Sequence, residues 1–194
     1  MTKDRDRAIN WQVAIDDLSL RKASLRKEMR AALRRSRKVA ETPYLMLRDA
    51  LKQLKTEKCI AIYSALPDEP SITALLDDLP RHRWLLPRVK EDHLIFHHVM
   101  DTSRDLRPGA FGILEPLPHL PIMAVTEIDI FVCPGLAFDI HGGRLGRGRG
   151  FYDRILSGAR EDALKIGVGF GCQMVRDTFA EKHDICMNTV ICHG

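Results

Sequence analysis

Apolar residues recur at helical spacing near the start of the chain. Leu18, Leu25, Met29 and Leu33 share one face of a helix predicted over residues 18–38, and Arg and Lys fill most of its other positions. A second helical pattern passes through Tyr44, Leu47, Leu51 and Leu54, with Thr42 and Pro43 as cap and first-turn proline. The period then shortens. Residues 59–64, CIAIYS, have the run of a short buried strand, and a proline-punctuated turn and a helix over 71–78 follow. Residues 84–89 and 94–99 predict two strands about a polar turn. Pro87 cannot donate to a ladder, which limits the first of them to an edge. Residues 101–123 are rich in proline and predict a long irregular connection, a feature often functional in compact domains. Residues 128–133 and 165–170 predict two more buried strands. Alternating strands and helices imply a single α/β domain, a largely parallel sheet flanked by helices, over residues 19–194. Residues 1–18 precede the pattern and are an N-terminal extension whose order is left open.

Composition adds little until the charge is located. The chain has 194 residues, 45% of them hydrophobic, which suits one packed core and excludes a disordered or fibrous protein. Its net charge is +4, yet residues 1–40 hold 12 Lys/Arg against 5 Asp/Glu, a local net of +7. That excess points to an anionic partner near the N-terminus or to a solvated basic helix face. No apolar run approaches the roughly 18 residues of a membrane span, and residues 1–12 lack the apolar stretch of a signal peptide, so a cytoplasmic location and no membrane partner are expected. The 5 cysteines include no CxxC pair and predict neither a disulfide framework nor a structural zinc site. They are read as reduced thiols, mostly buried. His97 and His98 alternate across a strand, and His183 with Cys186 lacks a second pair, so neither set is a metal site.

Chemistry concentrates in residues 134–154, PGLAFDIHGGRLGRGRGFYDR. Five of the 13 glycines fall between His141 and Gly150, interleaved with Arg144, Arg147 and Arg149. Glycine lets successive N–H groups converge on one anion, and arginine adds forked donors for phosphate oxygens. A helix starting near Gly150 would add its N-terminal N–H groups. The run is neither a Walker A loop nor a dinucleotide-binding GxGxxG. An ordered phosphate site, a plain tight turn and an Arg-Gly RNA-binding tract all stay open on these residues, though the apolar helical character of Phe151, Tyr152, Ile155 and Leu156 favours order.

These residues resemble the 5-formyltetrahydrofolate cyclo-ligases, also called methenyltetrahydrofolate synthetases, whose signature is a PGLAFD-like strand end followed by GxRLGxGxGFYDR. Residues 134–139 and 142–154 carry it. Residues 22–26 (KASLR), Tyr63 and Ser64 with Asp68 and Glu69, and His183 with Asp184 follow in the family's order, so that the resemblance covers about residues 20–192. It implies a CoA-transferase-like α/β fold, ATP as co-substrate, Mg²⁺, and closure of 5-formyltetrahydrofolate to 5,10-methenyltetrahydrofolate with release of ADP and phosphate. The expected partners are small molecules, not nucleic acid, and the expected state is a monomer.

The resemblance also implies residue roles. ATP falls to Lys22, Ala23, Ser24, Leu25 and Arg26, and to Arg144, Leu145, Gly146, Arg147, Gly148, Arg149, Gly150, Phe151 and Tyr152. Arg147, Arg149 and Tyr152 are the implied catalytic groups. Ser64, Glu69 and Tyr152 contact the folate, which Glu115 and Pro116 border by analogy, and Asp153 and Asn188 hold the metal. Three positions depart from the pattern: Asn188 replaces the usual Asp and predicts weaker Mg²⁺ binding, Arg149 stands where many members have Lys, and the chain ends in ICHG where relatives tend to continue with Thr. A paralogue that keeps the nucleotide loop without folate chemistry, and an RNA-binding protein using the basic helix and the Arg-Gly loop, are the competing readings.

Overall fold

The computed structural model describes residues 3–35, 41–182 and 184–193. The helix predicted over 18–38 is part of helix α1 (Lys3–Arg35) as far as Arg35, residues 36–38 lying outside the described residues; α1 buries Met29 and Leu33 and half-buries Leu25. Helix α2 (Glu41–Lys52) buries Leu47 and Leu51. Strand β1 (Cys59–Ala61) and helix α3 (Leu75–Asp78) are shorter than their patterns predict, because the chain leaves the sheet between them in a loop tied by Tyr63 Oη to Pro70 O at 2.8 Å. Strands β2 (Arg83–Lys90) and β3 (His93–His98) form the expected hairpin.

Residues 101–123 are more ordered than an irregular connection. Asp101 caps helix α4 (Thr102–Asp105) by accepting from Ser103 N and Arg104 N, strands β4 (Leu106–Pro108) and β5 (Leu114–Pro116) pair antiparallel, and β6 (Ile122–Met123) joins β3. Strands of two or three residues bury no continuous face, so no period announces them. Strand β7 (Ile130–Pro134), the ribbon β8 (Ala137–Phe138) and β9 (Arg144–Leu145), helix α5 (Phe151–Leu156), and strands β10 (Leu164–Phe170) and β11 (Thr189–His193) complete the chain. β11 is only half-buried, and its apolar run, Val190 to Cys192, is too short for a period to announce it.

The seven-stranded sheet has the order β11-β10-β7-β1-β2-β3-β6. Pairing is parallel from β11 to β2 and antiparallel at β3 and β6. Strand β2 is therefore interior, and the expectation that Pro87 marks an edge is corrected. β1 pairs with β2 only as far as Leu85, so the missing N–H of Pro87 faces a side where the neighbouring strand has already ended.

Alternate residues feed two cores. Ile60, Ile130 and Val132 pack towards α2 and α3, whereas Cys59, Phe131 and Cys133 pack with Leu156 of α5. A third cluster seats Met29 and Leu33 of α1 on Leu136, Ala137, Leu145 and Phe170. All five cysteines are free thiols, but only Cys59 and Cys133 are buried, while Cys172 and Cys186 are exposed. Among the described residues no helix is long and apolar enough to cross a membrane.

Candidate active site

A cavity of about 650 Å³ opens at the carboxyl ends of β1 and β7, bordered by Tyr63 and Ser64 on one side and Pro134 and Gly135 on the other. This is where open α/β sheets place ligands, because the chain diverges there into loops. One end is basic and is built from α1 and the glycine loop. The other is apolar, with Pro87, Val89, Leu94 and Ile113 in its wall.

Lys22, Arg26 and Arg30 recur every fourth residue of α1 and face the cavity as one row. Arg26 Nε donates to Gly146 O at 3.1 Å and Arg30 Nη2 to Arg147 O at 3.5 Å, so the helix holds the loop by its carbonyls. Lys22 Nζ lies 2.7 Å from Glu181 Oε1 and 2.6 Å from Asp184 Oδ2. Burial would lower the Lys22 ammonium, but the two carboxylates outweigh it and hold its pKa above the ordinary lysine range.

The loop is shaped by its own anchors. Asp139, buried at the end of β8, accepts from His141 N and Gly143 N at 2.9 Å each, from Thr178 N at 3.0 Å and from Thr178 Oγ1 at 2.6 Å. Gly142 has φ +83°, and a Cβ there would lie 2.2 Å from Met187 O, so only glycine fits. Gly150 caps α5 with φ 65°. That helix has six residues, too few for the substantial dipole contribution expected of it.

Arg144 is buried. Its Nη2 donates to Asp153 Oδ1 at 2.6 Å, its guanidinium lies 5.4 Å from the Tyr152 ring centroid, and its Nε finds no partner among the described residues. Ser64 Oγ, also in the cavity, is likewise buried and unpartnered there. Unsatisfied donors of this kind in a cleft mark where a polar ligand belongs. Arg147 Nε donates to Glu69 Oε1 at 3.0 Å and its Nη2 to Asp68 Oδ1 at 2.6 Å, while Glu69 Oε2 accepts from Leu66 N at 3.0 Å. Burial pushes the Glu69 carboxyl above its usual range in spite of these donors. Burial also raises the Tyr152 phenol well above its ordinary value, so it stays protonated near neutrality.

Most of the expected residues meet here: Lys22, Arg26, Ser64, Glu69 and the whole run from Arg144 to Asp153 line the cavity. Ala23, Ser24 and Leu25 do not. Helical rotation turns Ala23 and Ser24 to solvent and packs Leu25 on the third core cluster. Asn188 is not brought to Asp153 either. Its Oδ1 accepts from Lys165 N at 2.8 Å, just ahead of β11, and Lys165 lies in register with Phe131 near the amino end of β7, away from Pro134. His183 lies outside the described residues.

Arg30, Glu181 and the apolar wall were not expected from sequence. The four-residue recurrence of Lys22, Arg26 and Arg30 is a usable signal for the first, whereas the wall comes from three separate segments and has none. No group of three or more His, Cys, Asp or Glu side chains able to hold a metal occurs among the described residues. Asp153 offers the cavity a carboxylate from the helix that follows the glycine loop, beside Arg144. This donor set suits a hard cation that arrives with phosphate oxygens and water, not a preformed protein cage.

Comparison with known proteins gives the same direction. Residues 18–193 match the model of the 5-formyltetrahydrofolate cyclo-ligase family. A 5-formyltetrahydrofolate cyclo-ligase of Mycolicibacterium smegmatis is 35% identical over 178 residues, 84% of this chain and 91% of that protein. One of Haemophilus influenzae is 32% identical over 143 residues, 70% of this chain and 75% of that protein. The solved structure of Aquifex aeolicus 5,10-methenyltetrahydrofolate synthetase superposes with a TM-score of 0.75 at 28% identity, covering 88% of this chain and 89% of that one. The chain belongs to the 5-formyltetrahydrofolate cyclo-ligase family.

Proposed function

We infer that this protein catalyses the ATP-dependent cyclisation of 5-formyltetrahydrofolate to 5,10-methenyltetrahydrofolate, releasing ADP and phosphate. The observation that carries the reading is one cavity in which a basic glycine loop meets an apolar slot, room for a triphosphate beside a fused-ring substrate. Membership of the family supports it. The inward pairing of Arg144 and Arg147 with cavity carboxylates favours this reading over an RNA-binding Arg-Gly tract.

A formamide oxygen is a poor leaving group. Transfer of the γ-phosphoryl from ATP to that oxygen breaks the bridging P–O bond, frees ADP and turns the oxygen into a phosphate ester. The neighbouring aniline nitrogen then attacks the activated carbon, the C–O bond breaks, phosphate departs, and the nitrogen loses its proton. Such chemistry needs positioning and offset of phosphate charge more than bond-making side chains. Lys22, Arg26 and Arg144 hold phosphates, and Arg147 and Arg149 face the transferring group. Ser64 and Glu69 orient the folate by its polar edge, beside the Tyr152 ring. Mg²⁺ carried on the nucleotide would be held by Asp153 and supplies further neutralisation of phosphate charge.

The direct test is the rise in absorbance of methenyltetrahydrofolate when purified protein meets Mg·ATP and 5-formyltetrahydrofolate. Stoichiometric ADP is the expected companion. Folded protein that forms no product would overturn the reading.

A further inference from the structure

Strand β2 has a side that the sheet leaves uncovered. β1 pairs with it only through Leu85, where Ile62 N donates to Leu85 O at 2.9 Å. Main-chain groups of alternate residues in a strand face the same neighbour, so Pro87 and Val89 point where β1 has ended. Pro87 has no N–H to satisfy. The N–H of Val89 is taken by Glu115 Oε1 at 3.2 Å.

Glu115 lies on β5 and is 3% exposed. Its Oε2 stands 3.6 Å from Arg88 Nη1, which also donates to Pro116 O at 2.8 Å. The side chain fills the space beside Gly109, where a Cβ would come within 2.5 Å of Oε2. Gly109 N in turn donates to Ile113 O at 2.8 Å and closes the tip of the β4–β5 hairpin. One buried carboxylate thus joins β2 to the hairpin that carries Ile113, and Val89 and Ile113 both line the cavity. Burying a carboxylate is costly unless it is paired and hydrogen-bonded. An apolar side chain would leave the Val89 N–H unsatisfied and the two segments untied.

We propose that Glu115 is a positioning residue for the folate: by tying the hairpin to the uncovered side of β2 it sets the apolar wall of Pro87, Val89, Leu94 and Ile113 against the substrate's rings. The proposal rests on the cyclo-ligase reading. It distinguishes the two substrates, since the residues that hold phosphates in this reading come from α1 and the glycine loop and not from this hairpin.

The experiment compares Glu115→Ala, Glu115→Gln and Gly109→Ala with the unaltered protein. KM is measured for each substrate, and calorimetry gives the affinities for 5-formyltetrahydrofolate and a non-hydrolysable ATP analogue. Glu115→Ala is expected to weaken KM and affinity for the folate about tenfold, with both nucleotide values within about twofold. Glu115→Gln keeps a carbonyl acceptor for Val89 and recovers most of the loss. Gly109→Ala displaces the carboxylate without removing it and repeats the Ala result, which keeps the test decisive if Glu115→Ala does not fold. Equal weakening for both substrates, or unchanged folate values in Gly109→Ala, overturns the inference. Unaltered protein that neither binds nor converts 5-formyltetrahydrofolate overturns the functional reading itself, and this inference with it.

Discussion

Arg147 holds Glu69: its Nε lies 3.0 Å from Glu69 Oε1, and its Nη2 reaches Asp68 at 2.6 Å, across 78 and 79 positions of sequence. The contact joins the glycine loop to the segment after β1 and pairs a forked cation with a buried carboxylate on the lining of one cavity. Losing the cation has two consequences. Arg147→Ala leaves Glu69 buried without its charged partner, and it removes a donor from the transferring phosphoryl group. The expected outcome is a fall in kcat/KM of about a hundredfold or more, with a lower Tm. Arg147→Lys is expected to recover more Tm than activity, because a point charge cannot reproduce the fork. Steady-state rates and thermal melts of both variants check this.

Glu69 and Asp139 should give opposite pH signatures. Burial raises the Glu69 carboxyl above its ordinary value of 4.5, so the folded state keeps its proton to higher pH than the unfolded state does. Its contribution is fully present below that value and is lost as pH rises through the folded one. Asp139 is lowered from 3.8: burial opposes the shift, but donors from Thr178, Gly143 and His141 outweigh it. Its contribution is present above 3.8 and lost as pH falls through the folded value. In Tm measured against pH, Glu69→Gln should therefore gain on the unaltered protein as pH rises above about 4.5. Asp139→Asn should be less stable near pH 7, and the gap should close as pH falls below about 3.8.

Gly142 admits no side chain. Its positive φ and the 2.2 Å that would separate a Cβ from Met187 O add together, so Gly142→Ala should lose about 2 to 4 kcal/mol in urea denaturation. Gly158→Ala, whose nearest neighbour would be at 3.7 Å, is the control and should change stability by less than about 1 kcal/mol.

Asn188→Asp should leave the Mg²⁺ dependence of the reaction unchanged. The side chain accepts from Lys165 N outside the cavity, and an aspartate can accept the same bond. Asn188→Leu loses that bond and should cost about 1 kcal/mol of stability with the metal requirement again unaltered. Activity titrated with Mg²⁺ separates the two ideas, since a shifted midpoint in the Asp variant would restore Asn188 as a metal neighbour.

Helix α1, strand β7 and strand β10 are legible in the sequence because each buries a continuous apolar face, and a face leaves a period. The glycine loop is legible for another reason: glycine and arginine carry their chemistry as residue types, before any neighbour is known. Neighbours are what the sequence cannot supply. That an interior strand can hold Pro87 follows from β1 ending at Ala61, and that Ala23 and Ser24 turn away while Arg30 faces in follows from how α1 docks. Local pattern records what a residue prefers, whereas the pairings of Arg147 with Glu69 and of Glu115 with Val89 depend on distant segments meeting, which only tertiary packing decides.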